Sequence, residues 1–273
     1  MLFAAAGSVQ AICEPVFDSS RIAVAGGSIT EILYLLGAEE RIVAVDTTST
    51  YPATARALPS VGYVRALSTE GLLSMQPTLV LGEEDMGPPE VLAQLERIGL
   101  PMVAIDEEHT AEGIMRKIRC VARILGLSQK ADALILDTLA PLTVELDRAR
   151  GRAGWQPLAV LILDARSGTL VAAGKETSGQ AFLRMIGAQN LFSDISGWKP
   201  VSPETILSAR PDFVIFSRPG ADITASEASS FAFAGGTDVV AVDTVETLGF
   251  GPRTIKAALD LLVKLQGRAQ PDE

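Results

Sequence analysis

Ser68-Thr-Glu70-Gly-Leu-Leu73-Ser74-Met-Gln-Pro77-Thr-Leu-Val80-Leu81 returns in the second half of the chain as Ser202-Pro-Glu204-Thr-Ile-Leu207-Ser208-Ala-Arg-Pro211-Asp-Phe-Val214-Ile215, with six of fourteen positions identical and no gap. Each copy reads the same way. The serine is a helix N-cap, the glutamate lies in the first turn, the leucine packs inward, and the proline ends a short helix before a strand. Weaker echoes pair Ala25-Gly26 with Ala173-Gly174 and Leu36-Gly37-Ala38 with Ile186-Gly187-Ala188. Repeats this far apart are too widely spaced for a solenoid and point instead to two similar halves.

Outward from the repeat, short apolar runs alternate with helix-period segments. Ile22–Ala25, Ile42–Val45, Thr78–Leu81 and Met102–Ile105 read as buried strands, with helical patterns such as Thr30–Leu36 and Pro89–Ile98 between them. Such alternation implies a parallel sheet flanked by helices. A helix-period stretch from Ser128 to Arg150 interrupts it, with Leu134, Ile135, Thr138, Leu142 and Leu146 on one stripe. It would extend about 34 Å at 1.5 Å per residue, bent at Pro141. Alternation then resumes at Leu158–Leu163, Phe213–Phe216 and Val239–Val242. The expected fold class is α/β, two similar Rossmann-like lobes joined by one long helix. Residues 1–20 form an N-terminal tail, 21–127 the first lobe, 128–150 the linker helix and 151–273 the second lobe. Ligands of open α/β sheets bind at the carboxyl ends of strands, so the groove between the lobes is the expected site.

Composition narrows the function. The chain has 273 residues, a net charge of -10 and a single histidine, His109. An acidic surface argues against nucleic acid and against anionic lipid. One histidine excludes a multi-histidine metal site. Cys13 and Cys120 have no metal-binding spacing; Cys120 falls within a helical pattern as a small core residue, and nothing in the spacing argues for or against a disulfide. Met1 to Ala11, MLFAAAGSVQA, is small and apolar and ends like a signal-peptidase site; the favoured reading is the tail of an export signal.

Enzyme chemistry is hard to find. Gly168 to Lys175, GTLVAAGK, is one residue too long for a phosphate-binding loop and has Glu176 where Ser or Thr belongs. No nucleophile-elbow motif occurs. His109, in the acidic loop after a strand, reads as a solvated loop residue, and the pairs Glu39-Glu40 and Glu83-Glu84 as solvated turn carboxylates. Gly26-Gly27-Ser28-Ile-Thr-Glu31 follows the first strand; Ser28 and Glu31 form a capping box there, and free N–H groups at this helix start would attract an anionic ligand group.

Val61-Gly62-Tyr63-Val64-Arg65-Ala66-Leu67-Ser68-Thr69-Glu70-Gly71 resembles the G-Y-x-R-x-L-x-x-E-G stretch of periplasmic haem-binding proteins of bacterial haem importers. The likeness extends to Gly26–Glu31, Asp46-Thr47-Thr48-Ser49, Ala172-Ala173-Gly174 and Leu248-Gly249-Phe250-Gly251. The wider class includes siderophore- and cobalamin-binding proteins and accounts for both the repeat and the long helix. The resemblance implies a periplasmic, monomeric, non-enzymatic protein that captures haem and hands it to the membrane permease subunits of an ABC importer. The haem would come from an outer-membrane receptor. It places the axial iron ligand on Tyr63.

The chemistry is reasonable in its own right. A phenolate is a hard anionic oxygen donor suited to ferric iron, and an ordinary tyrosine, with a pKa near ~10, loses its proton more readily beside a cation. Arg65, on the same side as Tyr63 if the segment is extended, would support the phenolate or meet a haem propionate. Arg166 and Arg218, after second-lobe strands, are further propionate partners. Some family members add a histidine in the loop Asp164-Ala165-Arg166-Ser167-Gly168; this chain has none there, which favours five-coordinate iron or water as sixth ligand. In the wider class one glutamate per lobe meets arginines of the permease, which assigns docking to Glu70 and Glu204. The competing readings are a ferric-siderophore or cobalamin carrier and, further off, a chelatase-like enzyme.

Overall fold

The computed structural model describes residues 13–164, 169–219 and 237–268. Its residues gather into two compact units. The first holds the described residues up to Glu108 together with Glu112–Ile135; the second holds His109–Ala111 and the described residues from Leu136 onward. The expected export-signal remnant lies outside the described residues.

In the first unit the chain runs β1 (Ile22–Ala25), α1 (Gly27–Leu35), β2 (Ile42–Val45), β3 (Gly62–Tyr63), β4 (Ala66–Leu67), α2 (Thr69–Ser74), β5 (Leu79–Glu83), α3 (Pro89–Arg97), β6 (Met102–Ile105), α4 (Ala111–Ile124) and α5 (Ser128–Leu134). β1, β2, β5 and β6 form a parallel sheet in the order β2-β1-β5-β6. Unbroken apolar runs are what a sheet covered on both faces demands, and every residue of β1 is buried. Ala23, Ala25, Val61, Val64, Leu67, Leu72, Val80 and Leu95 pack into one core cluster beside the sheet.

A five-residue π-helical segment, Ile135–Leu139, separates α5 from α6 (Ala140–Arg150). Pro141 has no N–H to donate and its ring crowds the carbonyl four residues back. The widened turn before it is the local answer, and the unit boundary falls inside it. Ala131, Ile135, Leu139 and Leu146 form the buried stripe, whereas Thr138, expected on it, is exposed.

The second unit continues with β7 (Leu158–Asp164), β8 (Leu170–Ala173), α7 (Ser178–Met185), β9 (Gln189–Asn190), β10 (Trp198–Pro200), α8 (Pro203–Ala209), β11 (Phe213–Arg218), β12 (Asp238–Asp243), α9 (Thr244–Leu248) and α10 (Thr254–Arg268). Its sheet runs β10-β8-β7-β11-β12, with β9 also on β7. β7 is parallel to β9 and β11, and β11 to β12, while β8 runs antiparallel to both its neighbours, β7 and β10, so this sheet is mixed.

The repeat survives at the level of hydrogen bonds. Ser68 Oγ accepts from the Gly71 N–H at 3.1 Å and Ser202 Oγ from the Thr205 N–H at 3.2 Å. Gln76 and Arg210, each just before the proline, both have positive φ, 49° and 50°. Leu72 and Ile206 are fully buried; truncating either to alanine would cost about 2–5 kcal/mol. Leu73, expected to pack inward, is instead 40% exposed. Helices α1 and α7 also close alike. Ala38 N–H reaches the Leu33 carbonyl and Ala188 N–H the Leu183 carbonyl, around left-handed Gly37 and Gly187.

Candidate functional site

At the carboxyl ends of β1, β2, β5 and β6, polar side chains turn back onto the start of α1. Gly26 N–H donates to Asp46 Oδ1 at 3.1 Å, Gly27 N–H to Thr48 Oγ1 at 2.9 Å, and Ser28 N–H to Glu83 Oε1 at 3.2 Å. These N–H groups at the start of α1 are thus taken by two carboxylates and a hydroxyl of the chain itself, and are not the free groups expected to attract an anionic ligand. This corrects the expected capping box: the N-cap is Gly26, with no side-chain cap, and Ser28 sits inside the helix with 1% exposure. Gly26 has φ 138°, and a Cβ there would fall 2.5 Å from the Glu83 side chain. The carboxylate can therefore reach the helix only beside glycine.

Behind Ser28 lies a buried ionic group. Ser28 Oγ donates to Glu83 Oε1 at 2.6 Å and accepts from Lys117 Nζ at 3.1 Å. Lys117, with a side chain 1% exposed, also pairs with Glu107, whose side chain is 11% exposed. Burial pushes the Glu107 carboxyl up to about 7; Lys117 opposes the rise and Glu83 and Glu84 add to it. Burial likewise raises Glu83, against the pull of Lys117 and Ser28. None of these carboxylates was expected here. Glu83 reads from the sequence as solvated, yet its carboxylate faces inward. A signal was present in α4, where Lys117 interrupts the apolar stripe Ile114, Ile118, Val121.

Tyr63 lies on a hairpin beside this edge. Gly62↔Leu67 and Tyr63↔Ala66 pair antiparallel around Val64-Arg65. Gly62 has φ 101°, and a Cβ there would approach the Ala66 carbonyl oxygen at 2.8 Å, so only glycine closes the ribbon this tightly. Val61, Val64 and Leu67 are buried and anchor it. Backbone bonds fix its position: Thr47 N–H to the Gly62 carbonyl, Gly87 N–H to the Val64 carbonyl and Leu67 N–H to the Gly87 carbonyl, each 2.8 Å.

Val64-Arg65 form a tight turn between the two short strands, and Arg65 reaches its neighbour from it. Nη1 donates to Tyr63 Oη at 3.3 Å and Nε to Asp85 Oδ2 at 2.7 Å, with Nη2 on the same Asp85 oxygen. Partial burial works against the Arg65 charge, but Asp85, Tyr63 and Glu83 more than offset it and hold the guanidinium pKa above its usual value. Tyr63 is 43% exposed, so its phenol is open to a ligand.

The remaining expected site residues are more scattered. Arg218 ends β11, half-buried, opposite Asp243; Arg166 lies outside the described residues. Glu70 and Glu204 are exposed in the first turns of α2 and α8, and a Ser202 hydrogen bond holds the Glu204 carboxyl below its usual range. Tyr34 is half-buried and Tyr51 46% exposed. His109 is not a solvated loop residue: it is half-buried, its ring 4.7 Å from Phe250. Cys13 and Cys120 form a disulfide, which fastens the N-terminal tail to α4. Among the described residues no helix is long and apolar enough to cross a membrane.

Residues 22–232 match the family model described as periplasmic binding protein. The chain belongs to that family. Its fold is that of the periplasmic heme-binding protein RhuT from Roseiflexus sp. RS-1 in apo form, at 33% identity and TM-score 0.77 over 93% of this chain and 100% of that one. Among curated relatives, the vitamin B12-binding protein of Pectobacterium atrosepticum is 29% identical over 244 residues, 86% of this chain and 85% of its own length. An uncharacterized ABC transporter substrate-binding lipoprotein of Bacillus subtilis, YvrC, is 26% identical over 190 residues. That alignment takes in 69% of this chain and 60% of YvrC's own length.

Proposed function

We propose that this family member captures haem outside the cytoplasm and delivers it to the permease subunits of an ABC importer, with Tyr63 as axial ligand to the iron. The observation that carries the reading is Tyr63, exposed on a hydrogen-bonded hairpin with the Arg65 guanidinium on its phenol oxygen. A tyrosine oxygen is the hard anionic donor that suits ferric iron. The likeness to a heme-binding protein at 33% identity supports haem over other cargo, and the Cys13–Cys120 disulfide suits an oxidising compartment. Arg218 is proposed as a propionate partner at the carboxyl end of the second unit's sheet. Exposed Glu70 and Glu204, one in each unit on the same repeated turn, are proposed as the contacts for permease arginines.

Cobalamin is the second reading, favoured by the 29% identity to a vitamin B12-binding protein. Titration of the purified chain with haem and, separately, with cobalamin decides between them. A saturable haem spectrum that excess cobalamin leaves unchanged is expected; cobalamin binding without haem binding would overturn the proposal.

A further inference from the structure

From the geometry around Arg65 we infer that Asp85 is the positioning residue of the iron-ligand site: it holds Arg65 on the Tyr63 oxygen and keeps that arginine off the haem propionates. The inference rests on the haem reading above and adds to it a residue and an assignment of charge.

All three guanidinium nitrogens of Arg65 are engaged. Nε and Nη2 grip one carboxylate oxygen of Asp85, which fixes the plane of the group and leaves Nη1 directed at Tyr63 Oη. A fork held on one edge has its other edge oriented without further loss of freedom. Asp85 is itself held in register. Met86, next along the chain, is buried, and the Met86 N–H closes a turn onto the Glu83 carbonyl at 3.0 Å. Gly87 then exchanges two backbone hydrogen bonds with the hairpin, to Val64 and from Leu67. The turn bearing Asp85 and the turn bearing Tyr63 and Arg65 are therefore stapled together.

The pair has little structural purpose. Its side chains are 62% and 38% exposed, and exposed ion pairs contribute little to stability. Charge accounting at this edge points the same way. Arg65 is matched by Asp85, Lys117 is buried against Glu107, and Arg116 pairs with Glu108. A propionate brought to Arg65 would meet a charge that Asp85 already neutralises and only the two N–H donors that Asp85 and Tyr63 leave.

The test compares ferric haem with its dimethyl ester, which has the same iron and ring but no carboxylates, on the intact chain and on Arg65→Ala, Asp85→Ala and Asp85→Glu. Arg65→Ala should weaken both ligands equally, by about ten- to a hundredfold. Asp85→Ala should weaken the dimethyl ester by about tenfold and ferric haem by less, because the released Arg65 can then turn to a propionate. It should also move the phenolate-to-iron charge-transfer band to longer wavelength, as Arg65→Ala does, because a phenolate without its hydrogen bond is the stronger donor. Asp85→Glu should restore most of both properties. The melting temperature of Asp85→Ala should remain within a few degrees of the parent, which separates this effect from misfolding. A parental band and affinity in Asp85→Ala would overturn the proposal. So would an Arg65→Ala penalty that disappears with the dimethyl ester. If the parent shows no Tyr63-dependent band with haem, the haem reading itself fails and this proposal with it.

Discussion

Replacing Glu107 with glutamine should make the protein more stable at alkaline pH, although it removes a partner of a buried lysine. Glu83, Lys117 and Glu107 together carry two negative charges and one positive charge when fully ionised, in a region that water barely reaches. Burial raises the Glu107 carboxyl from 4.5 to about 7. The folded protein therefore binds this proton more tightly than the unfolded chain does. The stability that follows is fully present below about 4.5 and is lost as pH rises through about 7. At about 1.4 kcal/mol per pH unit, the displacement corresponds to about 3 kcal/mol.

Glutamine has nearly the same shape and no proton to lose, and Glu83 remains to balance Lys117. Relative to the parent, Glu107→Gln should gain stability steadily between about pH 4.5 and 7 and level off above. Urea denaturation followed by circular dichroism at a series of pH values measures this. Both tryptophans, Trp155 and Trp198, lie in the second unit, so tryptophan fluorescence in the same samples serves as an internal control. Parallel pH dependence in the two proteins, or a Glu107→Gln variant less stable than the parent at pH 8, would refute the reasoning.

Glu70→Ala together with Glu204→Ala should leave haem titration unaltered and reduce uptake in reconstituted vesicles. Each single change should do less, and reversal to lysine more; normal uptake by the double variant would contradict the docking role. Opening the Cys13–Cys120 bond, which closes a loop of 107 residues, should cost up to about 4.7 kcal/mol, read as a lower urea midpoint after reduction. An unchanged midpoint would show that the cross-link does not stabilise the first unit.

The parallel strands were legible because a strand buried on both faces must be apolar throughout, and Ile22–Ala25, Ile42–Val45 and Met102–Ile105 form as read. The β3-β4 ribbon was not. Two residues per strand are too few for a periodic pattern, and its shape depends on Gly62 and on backbone bonds to Thr47 and Gly87. Strands β8 and β10 escaped for a related reason. Leu170–Ala173 reads as one more apolar run, and only pairing with β7 and β10 makes it antiparallel.

At the candidate site, Tyr63 and Arg65 are singled out by a motif, and their hydrogen bond follows from the turn. Asp85, Glu83 and Glu107 are ordinary loop acids in one dimension. What sets them apart is the partner each meets across the fold: Arg65 for Asp85, the start of α1 for Glu83, and Lys117 for Glu107. Ser28 shows the reverse error. Local capping chemistry described it well, but Gly26 and the long-range carboxylate of Glu83 had already claimed that role.

The most direct test of haem capture by Tyr63 is the visible spectrum of ferric haem bound to the intact protein and to Tyr63→Phe. The parent should show a phenolate-to-iron charge-transfer band and saturate at one haem per chain; Tyr63→Phe, which lacks only the hydroxyl oxygen, should lose the band and most of the affinity. A variant that keeps both the parental band and the parental affinity would contradict the account.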